Sequence, residues 1–141
     1  MLVVTGRYRP HQILLLAYSL AAGVLMATGL APVPPLIVGA LWPWVVNIWV
    51  GLWIGSGAAG LAGVLWRGRD RDTGMRLEAG GMLLNTAPLC VQVGVILPYA
   101  SGAVSITSVC LIVAWAVANL ARAEQVRRDL RSYHTERGAS P

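Results

Sequence analysis

The sequence contains no lysine and no phenylalanine, only two cysteines and two histidines, and few charges. Each shortage excludes something. Loss of lysine and phenylalanine together points to a GC-rich genome avoiding A/T-rich codons, which concerns coding and not mechanism. Only 12% of residues are charged, against roughly 25% in soluble domains, while 56% are hydrophobic and the mean hydropathy is +0.63. That balance is the balance of a membrane protein.

The scarce reactive residues are also badly placed for chemistry. His11 and His134 stand in charged flanks with no nucleophile or metal-ligand spacing around them. Cys90 and Cys110 fall inside apolar runs without a paired spacing, so neither a disulfide nor a metal site is expected and both read as small packing residues. No glycine-rich phosphate loop or acidic metal cluster is present. We expect no enzyme, no catalytic residue, no cofactor, no metal and no small-molecule substrate.

What is present is long apolar sequence. No charge stands between Gln12 and Trp66 or between Ala79 and Ala121, and one crossing needs about 20 residues. Each run therefore holds two. The first divides at APVPP (Ala31 to Pro35), because proline removes a backbone donor and disfavours helix before it. A helix from Leu36 to Trp66 would be about 46 Å long, against a hydrocarbon core of about 30 Å. The second crossing is accordingly started at Pro43 or Trp44, leaving Leu36 to Trp42 as an apolar turn or short interfacial helix. Trp42, Trp44 and Trp66 suit the headgroup boundary as interface anchors. The second run divides at PYASG (Pro98 to Gly102). The expectation is an all-α polytopic membrane protein, a single domain over residues 1–141. Its four transmembrane helices lie at about 12–30, 44–66, 79–97 and 103–121 in two hairpins, followed by a helical tail at 122–137.

All charges fall in three segments: Met1 to His11, Arg67 to Glu78 and Arg122 to Pro141. Each is net positive within a total of +5. Four crossings put the three on one side, and the positive-inside bias makes that side cytoplasmic. Both termini are thus expected in the cytoplasm, with the protein in the cytoplasmic membrane. The basic pI reports topology, and no basic soluble domain is present to bind nucleic acid. Arg7 and Arg9 ahead of an apolar stretch, with Gly29 and Ala31 beyond it, also fit a signal peptide, but Pro32 argues against cleavage there.

Residues 51 to 63 read GLWIGSGAAGLAG and place Gly51, Gly55, Ala59 and Gly63 at every fourth position. Helices associate in lipid through close backbone approach, which small residues permit. The stripe is expected to pack against a helix, within the bundle or in another copy as a homo-oligomer, with Trp49 and Trp53 on the opposite, looser side. On the third helix Glu78, Asn85 and Gln92 recur every seven residues and share a polar face, with a bend expected at Pro88. Asn85 and Gln92 are read as interhelical hydrogen-bonding groups or, alternatively, as a strip that lines water once subunits assemble. Glu78 is read as an interfacial ion pair beside Arg76. No Asp, Glu, Lys, Arg or His stands in the middle of a crossing, which disfavours coupled transport. In the tail, Glu124 with Arg128 and Gln125 with Asp129 stand four apart, and Val126, Leu130 and Tyr133 form a thin apolar stripe. A solvated tail is the expectation, with a membrane-surface or partner helix as the alternative.

The second helix ending in VLWRGRDRDTG, the LEAGGMLLNTAP opening the third, and the closing RRDLR resemble the small four-helix membrane proteins of actinobacterial tailed phages that are grouped as holin-like. The resemblance spans roughly Val45 to Arg131. It implies oligomerisation in the cytoplasmic membrane and permeabilisation for host lysis. A structural or accessory membrane protein, stabilising or excluding a partner complex without a pore, is the alternative. The partners expected are the lipid bilayer and further copies of the chain.

Overall fold

In hydrocarbon every backbone N–H and C=O must be paired inside the chain, so apolar segments of this length fold as helices. The computed structural model describes residues 10–66, 71–99 and 103–138, and among them it contains helices and turns and no strand. Helix α1 spans Pro10–Ala27, α2 Pro35–Ala40, α3 Pro43–Val64, α4 Arg71–Ile96 and α5 Ala103–Gly138, with a 3-10 turn at Leu97–Tyr99. All but α2 contain a span long and apolar enough to cross a membrane. This is the architecture of a multi-pass membrane protein. Arg7 and Arg9, the RGRD stretch at 67–70 and part of the PYASG division lie outside the described residues, as do the side chains of Tyr133 and His134.

Proline fixes the helix starts. Pro10, Pro35 and Pro43 each sit in a first turn, where the missing N–H has no partner to lose. Helix α1 stops at Ala27, three residues short of the expected Leu30. Gly29 adopts φ +73°, which side-chain-bearing residues resist, and the Thr28 hydroxyl donates to the last-turn carbonyls of Val24 and Leu25. The apolar Leu36–Trp42 stretch folds as the short α2.

The larger differences are at the charged ends. Helix α4 begins at Arg71, eight residues before the expected start, because helix propensity does not stop where hydropathy does. Asp72 sits in its first turn, favoured by the helix dipole, and pairs with Arg76 at 2.8 Å. Helix α5 continues through the tail for 36 residues, about 54 Å. Val126 is fully buried and Leu130 half-buried against Met75 and Ala79 of α4. The tail is thus docked on the extended start of α4, which corrects the solvated-tail expectation. The Glu124–Arg128 pair forms at 3.2 Å, whereas Gln125 accepts from Arg122 rather than meeting Asp129.

Helix α3 packs most extensively on α4, α5 packs on α4, and α1 packs on α3. Two cavities open along the seam between α1 and α5.

Candidate functional site

Helix geometry decides which small residues touch a neighbour. A four-residue step turns about 40°, so Gly51 and Gly63 lie about 120° apart around α3. The stripe does not keep to one face. A methyl group on Gly51 would meet nothing within 4 Å, and one on Gly55 would reach only the Leu84 side chain at 3.9 Å. Gly63, at the other end, packs against the backbone of Glu78 and Gly74. Ala59 is half-buried, and its backbone lies against Gly81 of α4. The full contact surface uses Gly57 and Gly60, which belong to a different row. A methyl on Gly57 would stand 2.6 Å from the Leu20 nitrogen of α1, while Gly60 abuts Leu16 of α1 and Gly81 of α4. The row from Gly51 to Gly63 is therefore not one contact face within the protomer, and α3 keeps an outward row of Gly51, Gly55, Ala58 and Ala62.

Trp49 and Trp53 do project away from Gly51, but into the core: they are 2% and 4% exposed. That overturns the expected loose face. The inner side of α3 is bulky in its first half and smooth in its second, so tryptophan rings fill one half of the bundle and backbone contacts close the other. The Trp49 Nε1 donates to the Pro88 carbonyl at 2.9 Å, and Pro88 lies within one continuous α4. Cys90 and Cys110 are exposed on the outer surface. Trp42 and Trp44 are largely exposed at the start of α3, and Trp66, 43% exposed, lies over Gly74.

Asn85 stands at the centre, 1% exposed. Its amide nitrogen donates to Ser19 Oγ of α1 at 2.7 Å and to Ser56 Oγ of α3 at 2.9 Å, and its oxygen accepts from Asn119 Nδ2 of α5 at 3.0 Å. Both serine hydroxyls donate onward to carbonyls of their own helices, Leu15 and Trp53. One side chain thus joins all four long helices, with its two amide donors and its carbonyl all used. Glu78 is buried in the same helix, and its Oε1 accepts from Arg122 Nε at 3.0 Å and Nη2 at 2.8 Å. Arg122 also donates from Nη1 to Gln125. The expected Glu78–Arg76 pairing is replaced, since Arg76 bonds Asp72 on the outer surface. Gln92, the third member of the polar face, is half-buried away from this network. Asn119, Ser19, Ser56 and Arg122 were not singled out from sequence. An asparagine within a charge-free run is itself a signal, and Asn119, Arg122, Ala123 and Val126 follow the i, i+3, i+4, i+7 spacing of a buried helix face.

The seam between α1 and α5 has two chambers. One, of about 210 Å³, has a mixed lining in which His11, Gln12, Asn119, Arg122 and Gln125 stand beside Leu15, Leu16 and Met82. The second, of about 570 Å³, is a largely apolar cleft with Tyr18, Trp53 and Trp115 in its wall. Those rings pack edge-on or tilted with centroids 5.6 to 6.4 Å apart, so they form one cluster and leave no cage between them. Among the described residues no group of three His, Cys, Asp or Glu is placed to hold a metal ion. Compared with known protein families, curated proteins and solved structures, the chain matches none.

Proposed function

We propose that the protein is an assembling four-helix unit of the cytoplasmic membrane, in two hairpins with both termini cytoplasmic, acting in a structural or accessory role without a pore of its own. The observation that carries this reading is the enclosure of the polar centre. Asn85, Asn119, Ser19 and Ser56 pair with one another and Glu78 pairs with Arg122, so these groups are inside the bundle and do not offer an outer strip for water. The outward row of Gly51, Gly55, Ala58 and Ala62 supports assembly, since close approach of such faces drives helix association in lipid.

That same row favours a second reading. A holin-like protein works by assembling, and the resemblance in residues 45–131 points the same way. One experiment separates the two. Purified protein with Gly55→Cys or Ala62→Cys, in a background lacking Cys90 and Cys110, is reconstituted in vesicles loaded with a small dye and cross-linked. Cross-linked dimers with the dye retained are expected. Cross-linking with dye release establishes the holin-like reading, and no cross-linking at either position overturns assembly through this face.

A further inference from the structure

Two side chains in the wall of the smaller chamber are buried, polar and only partly paired. Asn119 is 6% exposed, and its amide donates to Asn85 while its own carbonyl oxygen accepts nothing from the chain. That oxygen is not sealed inside protein, since among the described residues the one enclosed side-chain nitrogen or oxygen without a partner is the Trp53 Nε1. Arg122, also 6% exposed, spends three of its five N–H groups on Glu78 and Gln125. Both residues line the chamber. A buried polar group left without a partner is costly, so the chamber must supply what the chain does not.

The shape of the chamber says from where. It opens at the charged end of the bundle, where His11 and Gln125 are exposed, and it follows α5 from Gln125 to Asn119, about 9 Å. One turn beyond Leu15 and Ala118, Tyr18 and Trp115 meet with ring centroids 5.6 Å apart and stand between it and the larger cleft. The chamber therefore has a mouth and a blind end. Charge and size decide what enters. Glu78 neutralises Arg122, so this pair offers no net charge to an ion, and an acyl chain would leave the Asn119 oxygen unpaired. At about 210 Å³ the chamber is smaller than the usual site for an organic ligand, yet it has room for about seven molecules of ~30 Å³, the share of a water. Water is neutral and both donates and accepts, as the Asn119 oxygen and the Arg122 N–H groups together require.

We infer that this chamber is an aqueous vestibule, a binding site for a chain of water molecules that enters between His11 and Gln125, passes Arg122 and ends on the Asn119 oxygen. Solvent thereby reaches the polar centre of the bundle, because Asn119 is bonded to Asn85. It also lowers the desolvation cost of the buried Glu78–Arg122 pair. The inference does not depend on assembly, on a pore or on which side of the membrane the charged end faces.

The test uses the full chain in lipid nanodiscs, with Cys90 and Cys110 replaced by alanine and one cysteine introduced at a time. The probe is 2-(trimethylammonium)ethyl methanethiosulfonate, whose fixed charge keeps it in water and which reacts with the thiolate, a form that hydrocarbon suppresses. Ala118 and Ala121 line the chamber, and both are exposed, so a cysteine fits at either. Val117, 57% exposed, adjoins Ala118 but is turned about 100° around α5 and is not part of the chamber wall. Modification is expected at Ala121→Cys and at the deeper Ala118→Cys, and its loss at Val117→Cys. Reaction at Ala121→Cys alone would mean that lipid or protein fills the blind end, and overturns the proposal. Equal reaction at Ala118→Cys and Val117→Cys overturns it as well, since access would then follow depth and not the face of the helix.

Discussion

At the residue scale, Asn85 illustrates how one polar side chain organises a bundle. Interhelical hydrogen bonds in lipid contribute about 0.6–2 kcal/mol each, and Asn85 makes three, to three different helices. The serines survive its loss because each already donates to a carbonyl of its own helix. Asn119 does not, since its amide is left facing an apolar replacement. Asn85→Leu is expected to destabilise the fold by about 2–3 kcal/mol in reversible unfolding from mixed micelles. Adding Asn119→Leu should recover part of that loss, because the orphaned amide goes with it. A double variant that is simply additive would show that the two asparagines act independently. The buried Glu78–Arg122 pair is more demanding, since removing either partner strands a charge. Asn85 was legible in the sequence by its seven-residue register with Glu78 and Gln92. Its partners were not, because a hydroxyl in a mostly apolar helix carries no long-range signal.

At the scale of the element, α3 shows where a sequence pattern reaches its limit. Spacing by four identifies small residues correctly, yet the 40° advance per step carries the row from an open surface at Gly51 to a backbone contact at Gly63. Which side of a helix faces inward depends on its neighbours, and tryptophan's size argues for burial as strongly as for lipid. The consequence can be measured. Gly57→Ala should destabilise the protomer by about 1–3 kcal/mol, the range for overpacked sites, since the added methyl would stand 2.6 Å from the Leu20 backbone nitrogen, which cannot rotate away. Gly51→Ala meets open space and should be neutral, or stabilising by up to about 1 kcal/mol through helix propensity. Unfolding curves for the two, compared with the parent, check the assignment of faces. Equal effects would mean that α3 does not turn Gly57 toward α1 and Gly51 away from it. The elements themselves were legible: the four long helices and the division before Pro43 follow from hydropathy and proline, and the helical tail from its pairs four residues apart. The early start of α4 was not, because charge ends an apolar run without ending a helix.

At the scale of the molecule, the two ends of the bundle differ in kind. His11 and Gln12 of α1, Glu78 of α4 and Arg122 and Gln125 of α5 gather at one end. The α4 and α5 extensions pack together through Met75, Ala79 and Val126 beyond it. At the other, Ala31, Pro32 and Pro34 meet Ser108 and Gln92 around the apolar cleft, and α2 carries no charge. A translocated segment must cross hydrocarbon, which arginine-rich segments resist, so the orientation proposed above puts the polar end in the cytoplasm. Helix length puts the same end outside the hydrocarbon, since α5 at about 54 Å exceeds the core by about 24 Å and its excess is the charged portion. This can be read by labelling single cysteines, with Cys90 and Cys110 replaced by alanine. Gly39→Cys, on the exposed α2, should react with an impermeant maleimide in intact spheroplasts, whereas Ser132→Cys, exposed on the tail, should react only after lysis. The reverse pattern would invert the molecule in its membrane, and labelling of both from outside would require an even number of crossings between them, which α3, α4 and α5 could satisfy only if one of the three lay along the surface.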